Sequence, residues 1–584
     1  MTETFPEVVR DPVTHSPVES LVSSLARRRA LDQPAFTWVD YSAERGGVHH
    51  TLTWSEFYAR VLAVAAKIRE VADTSARVAV LCPQDLSYPV AFFGALVAGT
   101  TAVPLFAPEV SSHADRLIGA LADCEPTVWL TAEGALGSVE KLLDDPRVPR
   151  PAGGVIAVDS VDVEAGRDFE PPAIDLSATA YLQYTSGSTR SPAGAVITHE
   201  AVATNVLQAA AAFDLSEDST CVGWVPFFHD MGLVLLACVP VGLGARSVFA
   251  TPFDFIRRPL GWLEQLARHP NVITAAPNFA FDYAIDRTSA EDRSTLDLSG
   301  VRVAINGAEP VRPRTVQRFQ ETFGPCGFAA AAQRPTYGLA EATVFVTATD
   351  AAGPKMTTFA RSELMVGRAM PALGDTDAIT LVSAGAPVDQ QVCIVDPADC
   401  RARPNGEVGE VWVHGRNVAI AYWGQPERSG EVFDARLVGG DDELPAAGWL
   451  RTGDLGVTYD GELYITGRLK DLIIVDGKNH YPQDIEETVQ EAHPAVRTGR
   501  VAVFGIPTEV GEALVVVMER ARHADADGAT ALEISLAVRR AVSAAHDLKL
   551  RDVQILDGQK VLRTSSGKIA RAANRDRYVA QRES

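Results

Sequence analysis

Residues 77–108, RVAVLCPQDLSYPVAFFGALVAGTTAVPLFAP, hold the choice between a membrane protein and a buried α/β unit. Leu86 to Pro108 is a run of 23 residues without a charge, long enough to raise the question of a span. Pro89, Gly94, Gly99, Thr100, Thr101 and Pro104 break that run. The pieces read as a helix over about Pro89 to Ala98 and a strand over about Ala102 to Phe106, after the strand-like RVAVL. This is one turn of a buried βαβ pattern, so no integral membrane association is expected.

The pattern continues outward. Val18, Leu21, Val22 and Leu25 mark one apolar helical face ahead of the extended AFTWVDY. Thr53-Trp-Ser-Glu56 has the spacing of a capping box opening a helix through Phe57, Val61, Ala65 and Ile68. DRLIGALADC, TVWLTA and GGVIAVD extend the alternation. Such alternation predicts a large N-terminal α/β domain of doubly wound sheets, with ligands beyond the carboxyl ends of strands. Beyond about residue 466 the pattern changes. GELYITGRLKDLIIVDGKN reads as two strands around a polar turn, and a helical ISLAVRRAVSAAH precedes the strand DVQILD. We therefore expect domains at 1–467 and 468–584, the second small and α+β.

Lys and Arg number 53 against 75 Asp and Glu, a net charge of −22, which argues against a protein that coats nucleic acid or anionic membrane. Seven cysteines without a C-x-x-C pair read as reduced thiols, and the opening MTETFPEVVRDPVTH has no apolar signal core. A cytoplasmic protein is expected.

The strongest chemical signal is Tyr184-Thr-Ser-Gly-Ser-Thr-Arg-Ser-Pro-Ala-Gly194, between the strand-like ATAYLQ and AVITH. Its small hydroxylated residues offer backbone N–H groups and hydroxyls to phosphate oxygens. It is not G-x-x-x-x-G-K-[ST], so P-loop NTPase chemistry is absent. Alone it also reads as a polar surface turn. Phe227-Phe-His-Asp-Met-Gly-Leu233, Asn306-Gly-Ala-Glu-Pro310, Tyr337-Gly-Leu-Ala-Glu-Ala-Thr343, Arg451-Thr-Gly-Asp-Leu-Gly456, Gly467-Arg-Leu-Lys-Asp471 and Arg563-Thr-Ser-Ser-Gly-Lys-Ile569 follow in order.

With this ordered set the chain resembles the adenylate-forming superfamily of acyl-CoA synthetases, amino-acid adenylation domains and luciferases, and within it the fatty acyl-AMP ligases. The resemblance implies that Thr185, Ser186, Gly187, Ser188, Thr189 and Arg190 wrap the phosphates of ATP. Gly307, Ala308 and Glu309 would line the adenine side, and Tyr337 would stack on the base beside Gly338, Leu339 and Ala340. Glu341 resembles the carboxylate that holds Mg²⁺, Asp454 would accept from the ribose hydroxyls, and Arg468 would contact ribose or phosphate. Lys568 is expected to be catalytic, as a compact cation between the acid and the α-phosphate. His229 is expected at the junction of acyl chain and carboxylate, with Asp230, Met231 and Gly232 in the acyl pocket; a satisfied core histidine is the competing account. Small residues at Ala237, Gly242 and Gly244 make room either for an acyl chain or for helix packing. Lys470 resembles the hinge about which a mobile small domain turns.

Three features resemble acyl-AMP ligases rather than acyl-CoA synthetases. Thr189-Arg190-Ser191-Pro192-Ala193-Gly194 has the T-R-x-P-x-G form, Tyr337 to Val392 spans 55 positions, and KDLIIVDGKNHYPQDIE carries N-H-Y-P. The segment at about 350–377 resembles the ligase insertion, which the family uses to restrain the small domain and suppress CoA thioester formation. The implied reaction joins a medium- or long-chain fatty acid to AMP from ATP. The acyl group then passes to the phosphopantetheine thiol of an acyl carrier protein acting in trans, on a polyketide or peptide synthase. An acidic carrier calls for a basic surface, for which Arg27 to Arg29 and Arg539, Arg540 and Arg571 are candidates. Acyl-CoA synthetase and a catalytically silent lipid or nucleotide binder are the alternatives.

Overall fold

In the computed structural model of the chain, Ser87–Val97 is a helix of 11 residues buried from Tyr88 onward, and Thr101–Pro104 is the strand after it. Among the described residues no helix is long and apolar enough to cross a membrane. The structure describes residues 9–10, 18–108, 114–184, 192–374, 377–439, 444–475, 478–508, 512–521, 528–558, 560–564 and 568–583.

The strand Arg77–Val80 pairs in parallel with Thr101–Pro104 on one side and Val128–Thr131 on the other, at the centre of a six-stranded sheet. Thr179–Tyr184 extends that sheet and Gly194–Thr198 closes it antiparallel. A nine-stranded sheet holds the parallel neighbours Arg246–Phe249, Thr220–Gly223, Val272–Pro277, Val301–Gly307 and Gln333–Tyr337. Helices Trp54–Val71, Ser87–Val97 and His199–Phe213 contribute to one apolar core with strands of both sheets. The first of them starts where the capping box places it. Thr53 N donates to Glu56 Oε2 at 2.9 Å and Glu56 N to Thr53 Oγ1 at 3.2 Å, a cap whose loss costs about 1 kcal/mol.

The last part of the large domain is not βαβ. Gln391–Val395, Gly409–His414, Leu450–Tyr459 and Glu462–Arg468 form an antiparallel sheet with Val9–Arg10 at its edge. The two strands of GELYITGRLKDLIIVDGKN belong to different sheets. Glu462–Arg468 ends the antiparallel sheet, the turn Leu469–Asp471 follows, and Ile473–Val475 pairs with Lys478–His480. Beyond it, strands Val496–Pro507, Glu512–Arg520 and Leu550–Leu556 pack with helices Pro482–Glu491 and Ala531–His546 over a separate core.

The segment expected as an insertion forms a hairpin, Met356–Ala360 with Ala378–Val382, around the short helix Arg361–Met365. Its return strand thus runs beyond 377. Phe359 is fully buried, edge-on to Tyr459 and Tyr464 at 5.2 and 5.4 Å, and Tyr481 from beyond the turn joins the same cluster. None of the seven cysteines is paired.

Candidate active site

At the carboxyl ends of the central strands of the nine-stranded sheet lies a cavity of about 650 Å³ that reaches across to the small domain. Its apolar wall comes from Phe213, Val234, Val239, Ile273 and Ile305. Val234–Cys238 is a π-helical turn between Asp230–Leu233 and Val239–Leu243, an irregularity frequent at functional sites.

The polar wall is organised around Asp454. Tyr337 donates its hydroxyl to Asp454 Oδ2 at 2.8 Å, and Arg468, directly across the β-ladder, meets Oδ1 at 2.9 Å. The Asp454 charge raises the proton affinity of Arg468 further. Lys568 lines the same cavity, its backbone N donating to Thr564 Oγ1 at 3.1 Å. Burial, and then Arg468, lower its pKa below the lysine value, while Asp230, Glu309 and Asp454 pull it up. His229 Nδ1 stands 2.6 Å from Asp230 Oδ1, off the hydrogen-bonding direction, and Met231 N donates to the same oxygen at 2.7 Å. Burial alone would raise the Asp230 carboxyl, but His229, the Met231 N–H and Lys568 hold it below its ordinary value.

Glu341 sits on the turn Ala340–Ala342, and Tyr422 donates its hydroxyl to Glu341 Oε1 at 2.7 Å. The next residue but one, Thr343, has φ +67°, a strained value for a β-branched side chain. Thr343 Oγ1 donates to Asn417 O at 2.7 Å, and Asn417 Nδ2 donates to Ala342 O at 3.1 Å and Gln390 Oε1 at 3.1 Å. This buried network holds the turn from behind.

Of the expected site residues, the cavity wall brings together His229, Asp230, Met231, Gly307, Ala308, Gly338, Leu339, Ala340, Glu341, Asp454, Arg468, Lys470 and Lys568. It does not include Glu309, Tyr337 or Gly232. Glu309 Oε1 accepts from Phe279 N at 2.6 Å, so its carboxylate serves the start of the helix Asn278–Asp286. Tyr337 is buried behind Asp454. Gly232 is a packing position, since a Cβ there would stand 2.1 Å from Pro226 O. Ala237, Gly242 and Gly244 are also off the wall; Gly242 lies against Val206. Thr185, Ser186, Gly187, Ser188, Thr189 and Arg190 lie outside the described residues. The cavity also takes Arg116, Glu410, Tyr422, Arg428 and Arg451, which the motifs did not single out as site residues. Two candidates for a basic surface are spent inside the fold. Arg571 pairs with Asp471 at 2.9 Å and Glu486 at 2.8 Å, and Arg28 donates to Val241 O at 2.9 Å.

Residues 24–423 match the family model of the AMP-binding enzymes, and 470–584 match the AMP domain of Disco-interacting protein 2-like proteins. Long-chain-fatty-acid–AMP ligase FadD26 of Mycobacterium marinum is 42% identical over 97% of this chain and 98% of its own. The chain belongs to the fatty acid–AMP ligase family of AMP-binding enzymes. Other relatives are similar over nearly their whole length. FadD32 of Mycolicibacterium smegmatis is 43% identical over 94% of this chain and 92% of its own. A fatty acyl-adenylate ligase from Legionella pneumophila, solved with acyl adenylate and pyrophosphate, superposes with a TM-score of 0.73 at 31% identity over 96% of each chain. The 4-hydroxyphenylalkanoate adenylyltransferase of Mycobacterium tuberculosis is 40% identical over 96% of this chain and 92% of its own.

Proposed function

We propose that this ligase activates a medium- or long-chain fatty acid with ATP to acyl-AMP and pyrophosphate, and then passes the acyl group to the phosphopantetheine thiol of an acyl carrier protein acting in trans. The observation that carries the reading is the continuity of one cavity, from the apolar wall at Phe213 and Ile273 to the polar cluster of Asp230, Asp454, Arg468 and Lys568. An alkyl chain fits the first part and a nucleotide the second.

In the first step an oxygen of the substrate carboxylate attacks the α-phosphorus, and the bond to the bridging oxygen of pyrophosphate breaks. No covalent protein nucleophile is needed. The protein positions the two anions and offsets their charge. Asp454, held with one oxygen on Arg468 and the other on the Tyr337 hydroxyl, would accept from ribose hydroxyls. Lys568, on the same wall, would offer its ammonium to both the carboxylate and the α-phosphate; burial works against its charge, and Asp230, Glu309 and Asp454 favour it. Lys470, in the turn Leu469–Asp471 between the sheets, serves as the hinge between the half-reactions.

Glu341 would hold magnesium. Among the described residues no group of three or more His, Cys, Asp or Glu gathers as a cage, and Tyr422 bonds only Glu341 Oε1. That fits an ion bound by one carboxylate and the substrate phosphates, whose charge it offsets when present.

The test is acid-dependent pyrophosphate release with laurate, palmitate and a 4-hydroxyphenylalkanoate, followed by addition of CoA or of holo carrier protein. Acyl-AMP should accumulate with an alkanoate and discharge onto the carrier. Rapid acyl-CoA formation would assign a CoA synthetase instead, and no acid-dependent pyrophosphate release would leave a silent binder.

A further inference from the structure

Two arginines reach the adenylation cavity from segments without a catalytic motif. Arg116 belongs to the helix Ala114–Cys124 and Arg428 to the helix Pro426–Phe433, and both line the cavity. Separate contacts bring both helices against Pro192. On one side, Tyr184 donates its hydroxyl to Asp123 Oδ2 at 2.6 Å, and a Cβ on Gly119, one turn from Arg116, would stand 3.2 Å from Pro192 Cγ. On the other, Gln425 Nε2 donates to Pro192 O at 2.8 Å, and Arg428 Nη1 donates to Gln425 Oε1 at 3.1 Å. The Arg428 guanidinium lies 4.3 Å from the centre of the Tyr422 ring, and Tyr422 is the donor to Glu341.

The polar wall therefore has two parts. Lys568, Asp230, Asp454 and Arg468 form one; Arg428, Tyr422 and Glu341, linked in turn, form the other, and Arg116 lines the same cavity from the helix that packs on Pro192. We propose that Arg116 and Arg428 bind the pyrophosphate that leaves during adenylation. This rests on the ligase reading above. When the carboxylate oxygen bonds to the α-phosphorus, the electron pair of the breaking P–O bond departs with pyrophosphate, in line with the attack. The charge that develops there is large, and Glu341 alone would repel it. Guanidinium groups match phosphate oxygens bidentately and stay charged, so a pair of them on the cavity wall that carries Glu341 stabilises the leaving group where a lone carboxylate does not.

The experiment is titration of the full chain with inorganic pyrophosphate and Mg²⁺, for the wild type, Arg116→Gln, Arg428→Gln and the double variant. It is paired with the affinity for a dodecanoyl sulfamoyl-adenosine, which mimics the adenylate and carries no pyrophosphate. Each single variant should weaken pyrophosphate about tenfold and the double variant about a hundredfold, as expected for lost charge-assisted hydrogen bonds. The mimic should bind within about twofold of wild type, and Arg428→Lys should recover part of the loss. Undiminished pyrophosphate binding in the double variant overturns the proposal, and so does a parallel loss of affinity for the mimic, which would mark a structural role. Pyrophosphate binding needs no turnover, so a wild type that binds it through these arginines but releases none from ATP with any acid sinks the ligase reading and leaves the site.

Discussion

Lys568→Ala separates a catalytic cation from a structural one. The lysine enters the cavity from a loop whose backbone is fastened by Thr564, and the contacts among Asp454, Arg468 and Tyr337 do not pass through it. ATP affinity should therefore change by less than about threefold, because those contacts survive the substitution. The adenylation rate should fall by about 10²–10³, the scale for removing one preorganised charge stabiliser. A greater loss is not expected, since Arg468 still contributes a cation to the same wall. Folding stability should not drop, because burial works against the lysine's charged form and the substitution relieves that opposition. Lys568→Arg should not rescue the rate, because a planar guanidinium does not occupy the place of a compact ammonium. The wild-type rate should decline on the alkaline side below the ordinary lysine value of 10.5, since its proton leaves earlier. The assay is single-turnover pyrophosphate release with laurate, alongside ATP titration and thermal unfolding. A rate within about threefold of wild type would refute the assignment, as would a loss of ATP affinity in step with the rate in a variant that unfolds earlier.

Two further outcomes concern the small domain and its contact with the hairpin. Burial pushes the Asp484 carboxyl up to about 7, with Arg361 pulling it down and Glu487 and Glu486 pushing it further up. The folded chain thus keeps a proton that the unfolded chain releases near 3.8, so the cost of this group grows as pH rises from about 4 to about 7. Asp484→Asn should raise the unfolding temperature at pH 8 and leave it unchanged near pH 4; equal gains at both would remove ionisation as the cause. Phe359→Ala should cost about 3–5 kcal/mol of stability by emptying the contact with Tyr459 and Tyr464. It should also raise CoA-dependent thioester formation if the hairpin restrains the small domain, and lost stability with no gain toward CoA would count against that restraint.

The convergence of distant motifs was legible where chemistry and local pattern coincide. Asp454, Arg468, Glu341 and Lys568 stand in short motifs with distinctive neighbours, and the structure brings all four to one cavity. The helix Ser87–Val97 was legible because prolines and glycines bound it. Arg116, Tyr422 and Arg428 were missed because they stand in none of the motifs, and the helices of Arg116 and Arg428 come together only in the fold, around Pro192. Glu309 was expected on the adenine side, and the cavity wall does not include it. Its motif announces a carboxylate near the nucleotide, but the free N–H of Phe279 claims that carboxylate, and nothing in the local sequence signals the competition. The antiparallel sheet before Arg468 was hidden because its strand partners are distant in the chain.

The positive φ at Thr343 bears on whether this site is portable. A residue of this kind in that conformation costs about 1–3 kcal/mol, so the turn carrying Glu341 does not hold its shape alone. Asn417, Gln390 and Gln208 impose it from three other stretches of chain. Moving Tyr337–Thr343 into another scaffold would carry the letters of the motif without its geometry. In this chain, substitutions at Asn417 would silence the enzyme while leaving every group on the cavity wall in the sequence, and an activity screen would score a strut as a catalyst.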